Sequence, residues 1–126
     1  MYFDEVHWNL LKVGIKRLAL GVQATEDSVL IGGQGSATFT YTKKAAKEVL
    51  EVLERPAPPR FNRRGLRLLE SYAGSVAAGL RDGVIPAYTE RIKAGEPGLD
   101  SYLKSALDKQ KIFEYILDEL KKELKK

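Results

Sequence analysis

The chain contains no cysteine, and one residue each of histidine, methionine and tryptophan. Without cysteine there is no disulfide framework and no thiolate metal site, and a lone His7 excludes multi-histidine ligation. Thiol catalysis and histidine-cluster catalysis fall with them. No apolar run approaches the length a membrane span needs, and MYFDEVHW opens with acids where a secretory signal needs basic residues. The expectation is a soluble, cytoplasmic protein without membrane contact. Amide residues are scarce, with only Asn9 and Asn62 and three glutamines, while charged residues make up 30% of the chain. That balance matches heat-adapted proteins and suggests a thermophilic source.

What is present is positive charge, unevenly spread. The net charge is +4 over 126 residues, a length best read as one domain able to bury its own core. Residues 1–54 carry six basic and seven acidic groups, residues 94–126 seven of each, and residues 55–93 eight basic against three acidic. The excess therefore belongs to the middle, and there it is nearly all arginine. RPAPPRFNRRGLRLL, residues 55–69, holds five arginines and no acid. Guanidinium forks suit phosphate and carboxylate recognition, whereas lysine is a more hydrated point charge.

The fold expected is mainly α, a small helical bundle with one short β-hairpin between the first two helices. Residues 3–22 place Phe3, Val6, Leu10 and Val13 beside Leu11, Ile15, Leu18 and Val22, which reads as a broad-faced, largely buried helix. Lys12 and Lys16 lie four apart on its polar edge. SVLIGG, the glycine turn and SATFTY read as a hairpin over 28–41. Thr42 is placed to cap a helix over 43–54, with Ala45, Ala46, Val49, Leu50 and Leu53 on one face. Prolines 56, 58 and 59 end it and make 55–61 a stiff connector. Asn62 is placed to cap a helix over 63–82, Pro86 to open a short helix over 86–94, and Asp100 to cap a last helix over 101–124.

Nothing in the sequence supports catalysis, a metal or a cofactor. GGQGSAT lacks the lysine and the following helix of a phosphate-binding loop. His7, within an apolar helix beside Trp8, reads as a packed or surface histidine rather than a catalytic base. Glu70, Asp82 and Glu90 are not spaced to share a face, so paired-acid chemistry has no signature. Ala73, Gly74, Ala77, Ala78 and Gly79 keep one helix surface small enough for a second helix to approach closely, either within the chain or from another subunit.

The arginines carry the functional argument. Arg60, Arg63, Arg64 and Arg67 crowd the N-terminal turns of a helix, where the backbone dipole makes each cation unfavourable by about 0.3–1 kcal/mol. Local stability does not select that arrangement, but a polyanion reverses its sign. Lys43, Lys44 and Lys47 repeat the pattern more weakly at the preceding helix start. Phe61 and Tyr72 are candidate stacking partners for bases.

ATFTYTKKAAKEVL, residues 37–50, resembles the Thr/Ser-Tyr segment and alanine-containing helix of the small subunit of the archaeal type I-A CRISPR surveillance complex, the Cascade small subunit. The likeness covers about the first half of the chain. It implies a small, mostly helical, non-catalytic protein, several copies of which stack on larger subunits of an RNA-guided ribonucleoprotein and hold DNA through basic surfaces. Lys43, Lys44 and Lys47 would be the matching positions. The resulting expectation is a non-enzymatic subunit of such a complex, contacting nucleic-acid backbone through Arg60, Arg63, Arg64, Arg67, Lys43, Lys44, Lys47, Lys12 and Lys16. Two other readings stay open: a helical DNA-packaging coat protein of an archaeal virus, and a protein-interaction adaptor whose arginines meet an acidic partner.

Overall fold

The computed structural model describes residues 2–20, 28–31, 39–56 and 59–126. Five α-helices dominate the described residues: α1 (Glu5–Ala19), α2 (Lys43–Glu54), α3 (Arg63–Gly79), α4 (Ile85–Lys93) and α5 (Asp100–Leu124). The molecule is mainly helical and forms a bundle. Two short strands, β1 (Ser28–Ile31) and β2 (Phe39–Thr42), pair antiparallel with Ser28 opposite Thr42 and Ile31 opposite Phe39. The glycine turn expected between them lies outside the described residues.

The first helix begins at an Asp4 cap rather than at residue 3. The Asp4 carboxylate accepts from the amides of Val6 and His7, at 2.9 and 3.3 Å. In return the Asp4 amide donates to His7 Nδ1 at 3.0 Å, closing a capping box. The Asp4 carboxylate lies 3.1 Å from the same nitrogen. The lone histidine is therefore a structural residue of a helix start.

One face of α1 departs from the sequence reading. Leu11 and Ile15 are fully buried, but Val6 and Val13, expected on a buried stripe, are 55% and 58% exposed. Phe3 and Leu10 of the same stripe pack against the core and are partly buried, so the departure is confined to Val6 and Val13.

The core joins Leu11, Ile15 and Ala19 of α1 to Ala46, Val49 and Leu53 of α2, and Leu68, Leu69 and Ala73 of α3 to Phe113, Ile116 and Leu120 of α5. Each fully buried leucine or isoleucine contributes about 1.5–3 kcal/mol relative to exposure. Most of the small-residue surface of α3 is consumed by packing within the chain: Ala73, Ala77 and Ala78 are buried, and a Cβ on Gly74 would touch Leu117 of α5 at 3.7 Å, whereas Gly79 is exposed.

The two helices expected over 63–82 and 86–94 are one continuous rod. A π-turn, Leu80–Val84, joins α3 to α4, with the Ile85 amide donating to the Leu80 carbonyl. Pro86 falls just after it, at the start of α4. A proline lacks the amide donor and crowds the turn behind it, so the wider π-turn provides the room that lets the helix continue instead of ending. At α5, Asp100 is the first helical residue rather than the cap. Leu99 occupies the cap position without a side-chain hydrogen bond, and Asp100 supports the helix as a first-turn acid.

Candidate nucleic-acid interface

The start of α3 is built by three adjacent residues with different tasks. Asn62 has extended backbone, φ −73° and ψ 173°, and its Oδ1 accepts from the Gly65 amide at 2.8 Å. Phe61 turns back onto the aromatic cluster of α1, its ring centroid 6.3 Å from that of Trp8. Gly65 passes beneath both: a Cβ there would lie 3.3 Å from Asn62 Oδ1 and 3.4 Å from Phe61 Cβ. A side chain at 65 would require the Asn62 cap to shift by a few tenths of an ångström.

From this anchor the helical period sets the rest. Leu66, Leu68 and Leu69 are buried, so Arg63, Arg64 and Arg67 project to solvent, and Arg60 is exposed in the segment just before the helix. Their surroundings separate these four from the other arginines of the chain's basic middle. Arg81 forms a two-pronged fork with Asp82, both bonds 2.9 Å. Arg91 grips Glu96 in the same way and lies 6.0 Å over the Tyr88 ring. Arg55 reaches Glu51 at 3.7 Å. Arg60, Arg63, Arg64 and Arg67 make no ion pair or side-chain hydrogen bond among the described residues. Arg67 forms no bridge to Glu70 or Ser71, the polar residues three and four positions along the helix.

Arg60 and Arg64 also share a cleft of about 170 Å³ between α2 and the start of α3. Ala45, Val49, Val52, Phe61 and Leu68 supply its apolar wall, with Glu48, Asn62 and Gly65 completing the lining. Sequence reasoning found the arginines but not this cleft. The only signal for it was that Ala45, Glu48, Val49 and Val52 fall three to four apart on α2.

The lysines divide. Lys44 and Lys47 are exposed and Lys43 half-buried on the first turns of α2, a start with no first-turn acid, and Lys44 and Lys47 neighbour the cleft residues Ala45 and Glu48 in sequence. Lys12 lies elsewhere, in an open groove with Asp4, Glu5, Arg55 and Glu123, where the charges are mixed. Lys16 is exposed in the last turn of α1, where a cation complements the dipole without needing a ligand. The structure thus brings Arg60 and Arg64 to one cleft, with Arg63 and Arg67 on the adjoining turns of α3, and neither Lys12 nor Lys16 lines that cleft.

Tyr72, a candidate base-stacking residue, has a structural task instead. It is half-buried and its ring meets Phe113 edge-on at 6.1 Å. Burial pushes its phenol above the ordinary tyrosine value, with the charge of Arg17 opposing.

Among the described residues there is no group of three histidine, cysteine, aspartate or glutamate residues that could hold a metal, and no helix is long and apolar enough to cross a membrane. No family model, curated protein or solved structure matches this chain.

Proposed function

We propose that the chain is a non-catalytic, nucleic-acid-binding subunit of a larger ribonucleoprotein assembly of the RNA-guided CRISPR type, a helical bundle with one short hairpin that grips backbone phosphates without reading sequence. The observation that carries this is the set of four exposed arginines at the start of α3, unpaired among the described residues and placed against the helix dipole. Arginines kept for stability alone would be expected to resemble Arg81 and Arg91, each held by a carboxylate fork. Phosphates supply the missing counter-charge, with backbone-facing forks that position a strand but carry no base information.

Contacts with other subunits draw support from α1. Val6, Val13 and the C-cap Leu20 stand seven residues apart, are 55%, 58% and 71% exposed, and offer apolar side chains for a partner subunit to cover.

Filter binding of single- and double-stranded DNA at two salt concentrations tests the reading. Retention at low salt should fall steeply as salt rises, with a logarithmic slope of roughly −0.9 per phosphate contact on duplex. Changing Arg60, Arg63, Arg64 and Arg67 together to glutamine should weaken binding and flatten that slope. No retention at low salt overturns the proposal and favours an adaptor that meets an acidic protein.

A further inference from the structure

We infer that the cleft between α2 and the start of α3 seats a single unstacked nucleobase, so that the protein prefers single-stranded to duplex nucleic acid. This rests on the backbone-binding reading and sharpens it to a substrate class.

Size comes first. The cleft holds about 170 Å³, and an apolar protein cavity of ~150 Å³ accommodates a benzene ring. A single planar ring fits this volume, whereas a whole helix does not. Its chemistry points the same way. Val49 and Leu68, 5% and 1% exposed, form a rigid apolar floor, and Val52 and Phe61 stand at the wall. That surface favours the face of an aromatic ring over a hydrated phosphate.

Charge then orients the ligand. Glu48 lines the cleft and forms no ion pair with Arg60 or Arg64 among the described residues. A carboxylate at that place repels an anion from the interior but accepts readily from the amino or imino groups on a base edge. Arg60 and Arg64 hold the attached phosphate at the mouth, next to Arg63 and Arg67. Asn62 adds a donor: its Oδ1 is occupied by the Gly65 amide, which leaves its side-chain NH₂ for a base carbonyl. A base inside a duplex is stacked and paired, and can enter only after unstacking at a cost of a few kcal/mol.

The test uses the full chain and fluorescence anisotropy with three probes of equal length: a labelled mixed-sequence DNA strand, the same strand annealed to its complement, and an abasic strand. The single strand should bind about tenfold tighter than the duplex, and the abasic strand should lose that advantage. Ala45→Leu and Val52→Phe, which fill the cleft from α2, should each remove most of the single-strand advantage while leaving duplex affinity and its salt slope unchanged. Thermal melting of both variants shows whether they fold, and the abasic probe reads the same quantity on the unaltered protein. Equal binding of strand and duplex, or full affinity for the abasic strand, overturns the inference and leaves the phosphate-binding proposal standing. Failure to bind any probe at low salt removes both.

Discussion

Gly14 of α1 lies directly under the phenol of Tyr72: a methyl group on its Cα would occupy the space of Tyr72 Oη and Cζ. The tyrosine cannot easily yield, because its ring is braced edge-on against Phe113. Gly14→Ala should therefore destabilise the fold by about 1–3 kcal/mol, the range for overpacking a core, even though alanine is the better helix former. Denaturant unfolding checks this. A second cycle with Tyr72→Ala should show strong coupling, and additive effects would mean the two residues do not meet.

Gly79 presents the opposite case. It has ordinary helical backbone, φ −61° and ψ −39°, and an added Cβ would meet nothing within 4 Å. Gly79→Ala should stabilise by about 0.5–1 kcal/mol. A loss of stability on thermal melting would show that the open surface is not open in solution.

The arginine cluster predicts a trade between binding and stability. Arg63→Gln and Arg64→Gln each remove a cation from the first turn of α3, where it opposes the dipole. Both variants should melt slightly above the unaltered protein at low salt while binding nucleic acid less well. The stability gain should shrink at high salt. A lowered melting temperature would mean that these side chains support the fold.

Acid should weaken the protein through two exposed forks. Hydrogen bonds from Arg81 and Arg91 hold the Asp82 and Glu96 carboxyls below their ordinary values. The unfolded chain then binds protons that the folded chain refuses. Stability from these groups is present above the ordinary carboxylate range and lost as pH falls through the lowered values. Both pairs face solvent, so the effect is modest and screened by salt. Melting temperatures at neutral pH and near pH 3 for Arg81→Gln and Arg91→Gln provide the check: each should show a smaller acid-induced drop, and an unchanged drop refutes the assignment.

Alkali acts on the raised phenol of Tyr72 with the opposite sign. Its stabilising contribution is complete below the ordinary tyrosine range and is lost as pH rises through the higher folded value. Tyr72→Phe should blunt the alkaline fall in melting temperature. An alkaline limb unchanged in that variant would place the titrating group elsewhere.

Local signals in the sequence located elements whose limits depend on nearby residues. The span 43–54 was legible because its apolar face is confined to one stripe and prolines follow it, and the Asn62 cap because a short acceptor precedes a periodic run. Signals that depend on neighbours were not legible. Val6 and Val13 match the helical period as well as Leu11 and Ile15 do, and only the placement of the other helices decides which face is covered. Pro86 reads as a break because sequence rules count its missing donor but cannot see a π-turn that accommodates it. At the candidate site, the charge of Arg60 to Arg67 was apparent from composition, but their lack of acidic partners and the cleft beside them follow from how α2 meets α3.

The π-turn also changes the angular bookkeeping of everything beyond it. A turn with one surplus residue sets the following helix back by about 100° relative to an uninterrupted α-helix. That offset brings Tyr88 alongside Tyr102 of α5, the rings stacked at 6.2 Å, in place of whichever side chain a regular winding would have delivered. The aromatic seam between α4 and α5 is thus set by a backbone irregularity upstream. Excising Gly83 alone would rewind the rod and pull that seam apart while leaving every seam residue in the chain.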